Sequence, residues 1–149
     1  MKVALLDVNV LVALFDPASP SHDSAHEWFG REGWQCWATC AITLNGCVRV
    51  LSNPAYPTAK VRPDEVIAML RRACTSPGHQ FWPDTVNLLD GSLIRPELIG
   101  GHKNITDISL LALAVRNNGQ LVTVDRAISL RSVIGAEPHH LRLLSSDRP

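Results

Sequence analysis

The chain has no excess charge of either sign: 14 Lys and Arg stand against 14 Asp and Glu over 149 residues, a formal net charge of zero. A histone-like basic protein and an acidic solvating tail are therefore excluded, and a nucleic-acid partner would need a local patch rather than an overall field. Long hydrophobic runs are missing too. The first apolar stretch, Val3 to Leu6, is broken by Asp7 and preceded by a single lysine, which suits neither a secretory core nor a membrane span. The expectation is a cytoplasmic protein with no membrane partner. The four cysteines, Cys36, Cys40, Cys47 and Cys74, lack C-x-x-C spacing and read as free thiols in a reducing compartment, not as a disulfide framework or a metal clip. There is no internal repeat, low-complexity run or linker, so residues 1–149 are expected to form one domain. At this length roughly two-thirds of the unfolded surface can be buried, enough for an ordinary core.

What is present is alternation. The unbroken apolar run Val3-Ala4-Leu5-Leu6 predicts a strand covered on both faces. Val10, Leu11, Leu14 and Phe15 follow at helical spacing as far as Asp16-Pro17. Ser21 is placed to cap a helix from His22 to about Glu32, burying Ala25, Trp28 and Phe29, and Trp34 to Thr39 predicts a strand. A helix runs from Ala41 to Leu51, weakened by Gly46, and another starts at Pro63 and lasts until Ser76-Pro77-Gly78. Phe81-Trp82 suggests a brief strand, and Pro83 to Lys103 reads as turns and loops. The second half predicts a helix over Thr106–Asn118, a strand over Leu121–Val124, a helix from Arg126 to about Ile134, and a last strand near Leu141–Leu144. Strands alternating with helices predict an α/β three-layer sandwich around a mainly parallel sheet.

Two of these strands end alike, an apolar run closing on aspartate: Val3-Ala4-Leu5-Leu6-Asp7 and Leu121-Val122-Thr123-Val124-Asp125. In open parallel sheets ligands bind beyond the carboxyl ends of the strands, which is where both aspartates would be delivered. Asp107 opens the preceding helix, three and four residues before Leu110 and Leu111, and shares their inward face. Three carboxylates in one crevice repel unless a cation compensates them. An oxygen-only donor set suits Mg²⁺, or Mn²⁺, which retain waters and are commonly bound by one or two carboxylates plus substrate phosphate. Such ions activate water for phosphodiester hydrolysis.

Each residue has a plainer role to set beside this one. Asp107 also suits a helix N-terminus with Asn104 as cap, and Asp125 suits an N-cap ahead of Arg126. Asp7 interrupts an apolar run, where an unpaired carboxylate is strongly disfavoured, so function is the better account. Asn9 is expected to cap the following helix or to hydrogen-bond the site. The segment His22-Asp23-Ser24-Ala25-His26 places two histidines a helical turn apart, but it has aspartate where a zinc protease has glutamate and shows no third ligand. The four tryptophans read as core or interface anchors rather than a base-stacking platform, and Arg49, Arg71 and Arg72 as solvated helix charges, with Arg49 near a possible phosphate path.

Taken together, four segments resemble the PIN-domain ribonucleases, and among them the VapC toxins of bacterial toxin–antitoxin pairs. They are Leu5-Leu6-Asp7-Val8-Asn9-Val10-Leu11, Arg49-Val50-Leu51-Ser52-Asn53-Pro54, Thr106-Asp107-Ile108-Ser109-Leu110-Leu111-Ala112-Leu113-Ala114 and Leu121-Val122-Thr123-Val124-Asp125-Arg126-Ala127-Ile128. The resemblance implies a PIN-like α/β/α sandwich and a Mg²⁺-dependent endoribonuclease acting on RNA, a homodimer restrained by a VapB-type antitoxin. It implies Asp7, Asp107 and Asp125 as metal ligands and catalytic acids, with Asn9 and Thr106 in support. One position departs: the family places a glutamate directly after the threonine of Ile42-Thr43, and here that residue is Leu44. Asn45 cannot stand in, because one helical step turns the side chain by about 100°. The resemblance thus leaves open a module that binds RNA or antitoxin without cutting.

Overall fold

The computed structural model describes residues 1–56 and 61–145. Five short strands, β1 (Ala4–Leu6), β2 (Trp37–Thr39), β3 (His79–Phe81), β4 (Gln120–Thr123) and β5 (Leu141–Leu143), form a sheet in the order β3-β2-β1-β4-β5, with every neighbouring pair parallel. Five helices connect them: α1 (Val8–Phe15), α2 (His22–Arg31), α3 (Ala41–Leu51), α4 (Pro63–Ala73) and α5 (Ile105–Arg116). No helix among the described residues is long and apolar enough to cross a membrane.

Strand alternation sorts the core into two layers. Ala4 and Leu6 of β1, Trp37 of β2 and Val122 of β4 pack with α1, α2, α3 and α4. Leu5, Ala38 and Leu121 face the other way, against α5 and against Trp82, Leu93, Ile94 and Val133. The expected three layers are present, and the sheet is wholly rather than mainly parallel. β1 lies between β2 and β4, in register Leu5 with Ala38 and Leu5 with Leu121. The chain leaves β1 for β2 on one side and only later reaches β4 on the other, so the strand order reverses there and a crevice opens at the carboxyl ends of β1 and β4.

Several local expectations change. The residue that caps α1 is Asp7, whose Oδ1 accepts from the Val8 amide at 2.7 Å, whereas Asn9 lies inside the helix. Ser21 precedes α2 but makes no side-chain cap; Ser24 Oγ donates to its carbonyl at 3.2 Å instead. Gly33–Gln35 is a single 3-10 turn, so the strand expected from Trp34 begins at Trp37. β3 starts at His79, earlier than Phe81-Trp82 suggested, and β4 ends at Thr123, leaving Val124 outside it. No helix spans Arg126 to Ile134; only Leu130–Ser132 makes a 3-10 turn. That segment's backbone bonds go elsewhere: the Ile134 amide donates to the Leu93 carbonyl at 2.8 Å and the Arg95 amide to the Ser132 carbonyl at 2.9 Å. Asp125 accordingly caps a turn, its Oδ1 accepting from the Ala127 amide at 2.8 Å. Asn104 precedes α5 without a side-chain cap.

Candidate metal centre

The crevice at the β1/β4 switch is a cleft of about 530 Å³ lined by Asp7, Val8, Asn9 and Val12 of β1–α1, by Ser19, Pro20 and Ser21 before α2, by Arg49 and Val50 of α3, by Thr106 and Asp107 of α5, and by Val124. Asp7 reaches it because β1 ends one residue earlier and the carboxyl is turned up to cap α1. Its position is over-determined. Oδ1 is held by the Val8 amide, and Oδ2 accepts from the Thr123 hydroxyl at 2.7 Å.

Thr123 is the hub of this corner and is fully buried. Besides donating to Asp7, its Oγ1 accepts from Asn9 Nδ2 at 3.3 Å and from the Asp125 amide at 3.0 Å. Asn9 Oδ1 in turn accepts from the Val124 amide at 3.4 Å. One hydroxyl and one amide therefore stitch the end of β4 to the start of α1. The sequence reading passed over Thr123; the available signal was a polar residue inside a buried strand, two places before an aspartate.

The electrostatics follow from the geometry. Burial raises the Asp7 carboxyl above its ordinary range; the Thr123 hydroxyl and the Val8 amide offset part of this, while the Asp125 charge adds to it. Asp107, in the first turn of α5, is pushed up to about 7: first by burial, then by hydrogen bonding with the Asp125 carboxyl, then by the charges of Asp7 and Asp125. Asp125 does not line the cleft, but the three aspartates are near enough to perturb one another. This is the signature of negative charge gathered at one point.

Among the described residues, no group of three His, Cys, Asp or Glu side chains is already drawn together around one ion position. The donor set, two carboxylates with hydroxyl and amide neighbours on an open cleft, fits a hard divalent cation that keeps waters and shares its coordination with phosphate. Thr106 is exposed on the rim, and Arg49, exposed on α3, supplies the positive group on the cleft wall.

Leu44 does not line this cleft. It is half-buried on the neighbouring groove of about 520 Å³ between α3 and α4, with Asn45, Val48, Arg49, Ile67, Leu70, Arg71 and Cys74. Trp28, Trp37 and Trp82 are buried, as expected of core anchors, and Trp34 is half exposed. All four cysteines are free, Cys40 and Cys47 buried and the other two half-buried. His22 and His26 lie at the far end of α1 from Asp7, bonded to its last carbonyls.

A parallel α/β sheet with aspartates gathered at its switch point defines an α/β protein with an acidic crevice at the carboxyl edge of the sheet. The PIN domain model matches residues 4–133, and the chain belongs to the PIN-domain family. Ribonuclease VapC44 of Mycobacterium tuberculosis is 44% identical over 141 residues, 95% of this chain and 99% of that protein. Ribonuclease VapC39 of the same organism is 42% identical over 126 residues, 85% of this chain and 91% of its own length. Among solved structures, M. tuberculosis VapC20, described as a sarcin-ricin loop cleaving toxin, shares the fold with a TM-score of 0.56 at 13% identity, over 78% of this chain and 85% of that one.

Proposed function

We propose that this chain is a Mg²⁺-dependent endoribonuclease, the toxin half of a VapBC-type pair, acting from a single domain as a cytoplasmic homodimer held in check by a VapB-type antitoxin. The observation that carries the reading is the convergence of Asp7, Asp107 and Asp125, from three separate elements, with Asp107 pushed up to about 7 by burial and its acidic neighbours. Asp7 and Asp107 would hold the Mg²⁺, or Mn²⁺, and Asp125 would complete the site or orient a water. When bound, the ion supplies an activated water and neutralises charge developing on the phosphate.

The rest of the work belongs to the chain's own groups. The Thr123 hydroxyl and Val8 amide fix both oxygens of Asp7, so the ligand needs no reorganisation as substrate arrives. Arg49 on the cleft wall offers a guanidinium to the RNA backbone, a contact that positions the strand without reading sequence. Asn9 keeps β4 and α1 in register, and Thr106 offers a hydroxyl at the rim.

One observation favours a second reading. The α3 residues lining the cleft are Arg49 and Val50, neither acidic, and Leu44 faces the apolar groove instead. This supports a module that binds RNA or antitoxin without cutting. Incubating the natural chain, Asp7→Asn and Leu44→Glu with RNA and Mg²⁺ separates the possibilities. Cleavage by the natural chain that Asp7→Asn abolishes is the expected outcome. Equal cleavage by both would sink the assignment, and activity appearing only in Leu44→Glu would establish the second reading.

A further inference from the structure

The histidine pair at the start of α2 takes no part in the carboxylate cleft, and its geometry gives it a chemistry of its own. The ring centroids of His22 and His26 lie 4.3 Å apart with planes inclined by 55°. One nitrogen of each ring is committed: His22 Nδ1 lies 2.8 Å from the Ala13 carbonyl oxygen, and His26 Nε2 lies 2.8 Å from that of Leu14. A carbonyl oxygen only accepts, so these nitrogens carry the protons. In the neutral rings the lone pairs therefore sit on His22 Nε2 and His26 Nδ1. The two carbonyls belong to the last turn of α1, where no helical amide remains to satisfy them.

A backbone carbonyl on the far nitrogen is the partner that fixes tautomer and orientation in metal-binding histidines. Here two adjacent imidazoles are prepared in this way on one helical turn, with His26 exposed and His22 half-buried. We propose that His22 and His26 form an accessory two-imidazole site for a borderline transition-metal ion, Ni²⁺, Cu²⁺ or Zn²⁺, with water completing the coordination. No third His, Cys, Asp or Glu joins them among the described residues, so the site is not a hydrolytic zinc centre. Imidazole pairs favour the later first-row ions and discriminate against Mg²⁺, the opposite of an oxygen-only cleft. The pair ties α2 to the end of α1 and directly follows Ser19, Pro20 and Ser21, which wall the carboxylate cleft, so an ion here braces that wall.

Calorimetric titration of Ni²⁺ into the full chain in excess Mg²⁺ tests this, using the natural protein, His26→Gln and Asp107→Asn. A single equivalent of Ni²⁺ is expected, bound about tenfold or more weakly by His26→Gln and unchanged by Asp107→Asn. No uptake, uptake indifferent to His26→Gln, or uptake lost in Asp107→Asn would each overturn the proposal. Glutamine retains an N–H that can reach the Leu14 carbonyl. Should that variant still fail to fold, nitrogen NMR of the natural chain decides: Zn²⁺ must shift His22 Nε2 and His26 Nδ1, and unmoved signals reject the site.

Discussion

At the scale of single residues, Thr123 carries the most consequence for its size. Its hydroxyl donates to a buried carboxylate and accepts from an amide and an asparagine, so Thr123→Val leaves Asp7 Oδ2 without its donor at unchanged volume. Removing one partner of a buried hydrogen bond costs about 1–3 kcal/mol, and loss of a ligand's supporting bond weakens metal binding by roughly 10–100-fold. Urea unfolding and Mg²⁺ titration should show both losses in Thr123→Val and neither in Thr123→Ser. Asp107 makes a second prediction, in pH. Unfolded, its carboxyl titrates near the ordinary 3.8; folded, at about 7. Between these values the folded chain holds a proton that the unfolded chain has released, so this group's stabilisation is complete below about pH 4 and is lost as pH rises through about 7. The melting temperature of the metal-free chain should therefore fall relative to Asp107→Asn across that window, and a constant difference would contradict the raised value. Asp7 and Asp125 stand out in sequence because each closes an apolar run, and both also cap local backbone in the fold. Thr123 does not, because a threonine in a strand is ordinary until its partners are known.

At the scale of elements, the reading of Gly46 shows where local propensity stops being informative. In sequence it weakens α3; in the fold it is what lets α3 pack directly on α1. A Cβ at this position would lie 2.4 Å from Val8 Cγ2 and 3.2 Å from Cγ1, and the stiff β-branched side chain next to Asp7 cannot swing aside. Gly46→Ala is expected to destabilise by about 1–3 kcal/mol through overpacking and to weaken Mg²⁺ binding by displacing the start of α1. Adding Val8→Ala should restore much of the stability, and a purely additive double mutant would show that the two residues do not collide. Long periodic segments such as α5 were legible because their apolar stripe fits only one conformation. The stretch from Arg126 to Ile134 was not, since Ile128 and Val133 are buried by a non-helical chain whose backbone bonds to Leu93 and Arg95. Sequence periodicity records which side chains are buried; it does not record which backbone groups satisfy the amides.

At the scale of the whole molecule, neutrality is an average over unlike regions. The 14 acidic side chains balance 14 basic ones, yet three of the acids perturb one another at the carboxyl edge of the sheet, where Arg49 is the basic residue lining the cleft. With a net charge of zero over the whole chain, long-range attraction for RNA is weak, and the balance at the cleft decides whether a phosphate approaches. Above pH 7 the metal-free cleft is at its most negative and should repel the strand. Neutralising a carboxylate with Asp107→Asn ought then to tighten metal-free binding of single-stranded RNA. A unit charge several ångströms away near a protein surface is worth about 1 kcal/mol or more, hence several-fold in affinity, and screening by salt should shrink the gain. Mg²⁺ should reverse the order, because the natural cleft gains a cation that the variant holds less well. Fluorescence anisotropy at low salt, with and without Mg²⁺, reads both halves: a variant that binds RNA no better than the natural chain without metal would mean that the strand does not pass over the three aspartates.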